Sequence, residues 1–166
     1  MWWLVALAAV ASGDAGALRI VEHVDPISDT KSVYAVVGNT EQHLALGCND
    51  QRARSVRIIA HFNQYVGDAT PGLLLGGTDL QYRFDKQSPM SVRWYSHGRE
   101  VTAESERTKP LTFILGMKVS TAVYLRATDY DGDPVDMSFT YENAGPIIEQ
   151  MLTACGLNSN GTKPKG

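Results

Sequence analysis

At 166 residues, 43% of them apolar, the chain has the size of one domain with an ordinary core. Fifteen basic and eighteen acidic residues leave a net charge of −3, which argues against a nucleic-acid partner. At the N-terminus, Trp2 to Ala11 is an uncharged apolar run, too short to span a bilayer. Ala15-Gly16-Ala17 follows as a small-x-small site, so residues 1–17 are expected to be a signal peptide cut before Leu18. The run lacks the usual Lys or Arg, and the alternative is a buried N-terminal helix. No Cys follows the cut, so neither a lipid anchor nor any other stable membrane anchor is expected after cleavage. The rest divides into a single β-rich domain over 18–157 and a tail, 158–166, expected to be without order.

Along the domain, Leu18 to Val24 predicts a first strand or extended arm, ended by Asp25-Pro26. Val33 to Val37 and His43 to Cys48 alternate as strands, separated by Gly38-Asn39-Thr40. Val56 to Phe62 is rich in β-branched residues and reads as a central strand. Asn63 to Asp79, with its paired glycines and Pro71-Gly72, reads as loop, with room for a short strand at Leu73 to Leu75. Leu80 to Phe84 and Val92 to Tyr95 are strands, and His97-Gly98 turns the chain. Val101 to Lys109 is polar and charged and reads as a solvated connection. Leu111 to Met117 is ambiguous, with Pro110 and Gly116 favouring one short helical turn.

The last third carries the clearest pattern. Val123, Leu125 and Ala127 alternate with polar residues, as do Val135, Met137 and Phe139, around Asp131-Gly132-Asp133-Pro134. This is a β-hairpin. Ile147, Ile148, Met151, Leu152 and Cys155 then form one helical stripe, with Asn143 or Gly145 as the starting cap and Gly156 just past the end. The expectation is a mostly β fold, an antiparallel sandwich or curled sheet of about eight strands, with a C-terminal helix packed on it.

Cys48 and Cys155 are the only cysteines. In an exported chain an even pair suggests a disulfide and in a cytosolic one two buried thiols; the expected signal peptide favours a Cys48–Cys155 bridge. His23, His43, His61 and His97 show no metal-ligand spacing and read as ordinary strand and turn residues. Asp129, Asp131, Asp133 and Asp136 only loosely resemble a calcium loop, because the glycine is misplaced and no closing Glu follows. They read as a polar turn, and neither metal nor cofactor is expected. Arg83, Arg93 and Trp94 form a candidate partner-binding patch, since Arg and Trp dominate interface hot spots. The competing reading puts Trp94 and Tyr82 in the core.

The order of short pieces is informative. Asp25-Pro26-Ile27-Ser28-Asp29-Thr30-Lys31 leads into a strand, and Cys48 ends another. Tyr82-Arg83-Phe84-Asp85 and Trp94 come next, then a strand, a Gly turn, Phe139 and a helix ending at Cys155. This resembles the VasI/TagO-type accessory proteins of bacterial type VI secretion, with Gly98 to Lys109 outside the likeness. The resemblance implies an exported cell-envelope β domain with a Cys–Cys bridge and no catalytic residues. The expected function is that of a periplasmic or secreted, non-catalytic binding or accessory protein, whose partner is an envelope protein or a cell-wall component. The alternative is a small exported hydrolase acting on the cell wall, which needs a convergent acid and base.

Overall fold

The computed structural model describes residues 16–49, 55–67, 77–104 and 106–164. Most of the expected signal peptide lies outside them, as does the short strand expected at Leu73 to Leu75. The described chain forms β1 (Arg19–Val24), β2 (Lys31–Gly38), β3 (His43–Asn49), β4 (Arg57–His61), β5 (Gly77–Phe84), β6 (Met90–His97), β7 (Glu100–Ala103), β8 (Ala122–Thr128) and β9 (Pro134–Thr140). Helix α1 (Pro110–Lys118) joins β7 to β8, and α2 (Ala144–Ala154) follows β9. The strands make one nine-stranded sheet in the order β1-β2-β3-β4-β7-β6-β5-β8-β9. Every neighbouring pair is antiparallel.

Period-two alternation decides which face is buried. Leu80, Tyr82 and Phe84 of β5, Trp94 of β6, Val123, Leu125 and Ala127 of β8, and Val135, Met137 and Phe139 of β9 all join one core. Both helices contribute to that core, α1 through Phe113, Ile114 and Met117 and α2 through Ile148, Met151 and Leu152. The Phe113 ring meets Tyr82, Phe84 and Trp94 edge-on, with centroids 4.8, 5.2 and 5.3 Å away. Gly116 lets α1 come this close, because a Cβ there would lie 2.2 Å from the Phe84 ring.

The sheet is open but curled. The β2–β3 turn reaches the far edge strand, where Gln42 Nε2 donates to the Asp136 carbonyl at 3.4 Å. A side chain at Gly38 would strike Phe139, and one at Gly16 would crowd the Thr140 carbonyl. Helix α2 is joined to β3 by the disulfide Cys48–Cys155, with a Cα–Cα distance of 5.7 Å. Gly156, at φ 70°, ends the helix as expected. Its N–H donates to the Thr153 carbonyl, and the Leu157 N–H donates to that of Leu152, a Schellman closure. At the start, Asn143 takes the N-cap position at φ 53° without a side-chain cap bond.

Two expectations need correction. Val101 to Lys109 is not a solvated connection: Val101 and Ala103 are fully buried in β7, which pairs with β4 on one side and β6 on the other. This strand raises the count from eight to nine. The Leu111 to Met117 segment belongs to a nine-residue helix, longer than a single turn. Within the expected tail, the Asn158 N–H donates to the Thr162 carbonyl, and Lys118 Nζ donates to the Ser159 carbonyl at 2.9 Å.

Candidate functional site

The positions that alternate with the core residues on β5, β8 and β9 face away from the helices. On β5 these are Asp79, Gln81 and Arg83, on β8 Tyr124 and Arg126, and on β9 Asp136 and Ser138, all exposed. Strand register lines them up in two cross-strand rows. Gln81 pairs with Arg126, which pairs with Asp136; Arg83 pairs with Tyr124, which pairs with Ser138. Together with Pro89 they line an open groove of about 480 Å³. That volume falls within the range of small-ligand sites.

The two rows differ chemically. Arg126 binds Asp136 in a bidentate pair, Nε to Oδ1 at 2.6 Å and Nη2 to Oδ2 at 2.7 Å. The pair is self-neutralising. Its hydrogen bonds hold the Asp136 carboxyl below its ordinary range and the Arg126 guanidinium above its own. Arg83 has no such partner among the described residues. Its Cζ stands 4.8 Å from the centroid of the Tyr124 ring. A planar cation is thereby held over an aromatic face with its N–H donors open.

The three candidate partner-binding residues separate. Arg83 lines the groove. Arg93 lies on the same face of the neighbouring strand, but its Nη1 is bound to Asp79 Oδ1 at 2.9 Å. Trp94 points to the opposite face, is 1% exposed, and donates from Nε1 to the Thr108 carbonyl at 3.1 Å. Its indole is core, packed against Phe113. Tyr124, Arg126 and Ser138 are not singled out by the sequence, and Asp136 is read there only as part of a polar turn. A signal for them existed: Arg126 and Asp136 lie equally far on either side of Asp131, so a hairpin centred there sets them opposite one another.

Elsewhere, His43 and His61 lie on strands as expected. They are directly opposite in β3 and β4, with ring centroids 4.9 Å apart and planes within 4° of parallel. His43 Nδ1 lies 3.1 Å from the Asn39 carbonyl, and His61 Nδ1 lies 3.5 Å from Glu100 Oε1. Burial, and then the neighbouring His61, hold His43 below its ordinary value. In the β8–β9 turn, Asp129 Oδ1 accepts from the Asp131 and Asp133 backbone N–H groups, each at 2.9 Å. No group of three or more His, Cys, Asp or Glu among the described residues is placed to hold a metal ion.

The site is thus an arginine–tyrosine groove on the helix-free face of an open antiparallel sheet. No protein-family model, curated protein or solved structure matches the chain.

Proposed function

We propose that the chain is an exported, non-catalytic binding or accessory protein of the bacterial cell envelope, periplasmic or secreted, and that it engages its partner through this groove. The observation that carries the reading is Arg83, a guanidinium held on Tyr124 and without a carboxylate partner among the described residues. Preorganised arginine and tyrosine in a concave site suit recognition. Asp136 is the groove's only carboxylate among the lining residues, and Arg126 keeps it ionised. It is therefore a fixed acceptor and a poor proton donor at neutral pH, which weighs against the hydrolase alternative. A buried disulfide suits an oxidising compartment. The VasI/TagO resemblance adds the envelope setting and a place beside a type VI secretion assembly.

The test compares wild-type protein with Arg83→Ala in two assays, capture from envelope extract and co-sedimentation with purified peptidoglycan. Retention in either assay that is lost in Arg83→Ala is expected. Release of soluble fragments from peptidoglycan by the wild type, abolished in Asp136→Asn, would replace this reading with the hydrolase.

A further inference from the structure

We infer that the groove takes a compact sugar bearing a carboxylate, with the acid group on Arg83. This rests on the groove being the binding site. Two arginines against one aspartate leave the lining with one net positive charge, and that charge is on Arg83. Arg126 is already matched by Asp136. A planar guanidinium with open donors binds a carboxylate through two parallel N–H···O bonds, a geometry an ammonium cannot copy.

The rest of the lining suits a polyhydroxylated ring. The Gln81 amide, the Ser138 hydroxyl and the remaining lone pairs of Asp136 offer donors and acceptors within one small area. Pro89 and the exposed Tyr124 ring supply apolar surface for a ring face. The dimensions agree. Three strands span roughly 10 Å, and the two rows stand about 7 Å apart along them, space for one or two sugar rings.

An acidic peptide fits less well. Peptides commonly dock by adding a strand to a sheet edge. The edge beside this groove is β9, and the chain itself covers part of it. Gln42 Nε2 donates to the Asp136 carbonyl, and Gly16 lies close against that of Thr140.

The experiment is an NMR titration of the ¹⁵N-labelled full chain with N-acetylmuramic acid and, separately, N-acetylglucosamine. The two share a ring and differ in the carboxylate. The acid sugar is expected to shift amides of β5, β8 and β9 and to bind at least about ten-fold tighter than the neutral one, about 1.4 kcal/mol. Arg83→Gln should erase that preference, and Arg83→Lys should restore only part of it. Unshifted amides far from the groove would show that both variants keep the fold. Equal affinity for the two sugars, shifts confined to another face, or tighter binding of a hexaglutamate peptide would overturn the inference. Were the sugar to fail while Arg83-dependent capture of an envelope component persisted, the ligand class would fall and the binding function would stand. Cleavage of a bound glycan would uphold the ligand class and remove the non-catalytic reading.

Discussion

On β2 and β3 the face turned away from the helices carries Val36 and Ala45, both buried. On β5, β8 and β9 the same face carries Gln81, Arg83, Tyr124, Arg126, Asp136 and Ser138, all exposed. The first region has buried residues on both faces and is joined covalently to α2 through Cys48. The second is closed only on its inner face, by Phe113 and its aromatic neighbours. On the proposed function, stability and recognition fall on different surfaces of one sheet. Substitutions that remove covalent or inner-face contacts should destabilise the fold, whereas substitutions on the outer face of β5, β8 and β9 should alter binding and leave stability nearly unchanged.

The largest effect is expected from the bridge. It spans a sequence separation of 107 residues. Chain entropy for a loop of that length gives about 4 to 5 kcal/mol as an upper figure. Cys155→Ser should lower the melting temperature by on the order of 10 °C, and hydrogen exchange should accelerate first in α2. Unchanged exchange in α2 would contradict the assignment of that half as the anchored one. Next comes Phe113→Ala, which empties the centre of the aromatic cluster. A loss of about 3 to 5 kcal/mol is expected in denaturant titration. A loss below about 1 kcal/mol would mean that the inner face of the site half is not the packed layer described.

Acid should act on the closed half before the open one. His43 is half-buried, and its pKa is depressed by burial and by His61, with Glu100 opposing and Arg19 adding to the depression. The unfolded chain thus takes up a proton that the fold resists. This contribution to stability is complete above about pH 6.5 and is lost as pH falls below it. Asp85 and Asp136 are also depressed, Asp85 by the Thr121 backbone N–H first and Asp136 by Arg126 first. Their contributions are lost only near and below pH 4. Melting temperature should therefore decline between about pH 7 and pH 5, and His43→Gln should flatten that limb while leaving the more acidic one. A limb unaltered in His43→Gln would assign the loss elsewhere.

How much of this was legible depends on how many residues carried each pattern. The β8–β9 hairpin and α2 had seven or more residues each, with clear periods, and their signals matched the fold. Strand β7 has four residues, two of them inward and small or medium in size, set among Glu100, Thr102 and Glu104. Its strand character comes from β4 and β6 on either side, which no local pattern reports. The site was half legible. Arg83 stood out as a charged residue beside aromatics, but Trp94 next to Arg93 suggested a shared patch, although adjacent residues of a strand face opposite ways. The groove needs β5 beside β8, a pairing between strands separated by β6, β7 and α1, and sequence spacing does not encode it.

The smallest expected effect on stability tests the comparison most directly. Arg126 and Asp136 form the best hydrogen-bonded ion pair of the groove, bidentate and short. Their side chains are nevertheless 55% and 60% exposed. Water already solvates both groups well, so pairing them replaces good hydration with a good contact, and the net gain is small. A double-mutant cycle of Arg126→Ala and Asp136→Ala should return a coupling of about 0.2 to 1 kcal/mol in folding stability. Binding should respond differently. Asp136→Ala frees Arg126 and adds a second open guanidinium beside Arg83, so an anionic ligand should bind more tightly to this variant than to wild type. Arg126→Ala leaves Asp136 without its counter-charge, close to the ligand's acid group, and should weaken the same ligand. Opposite changes in affinity, with both single variants as stable as wild type to within about 1 kcal/mol, would establish that this face is held for recognition. A coupling of about 3 kcal/mol or more, the range of buried pairs, would instead make Arg126–Asp136 part of what holds β8 to β9, and the division between the two regions would fail at the groove itself.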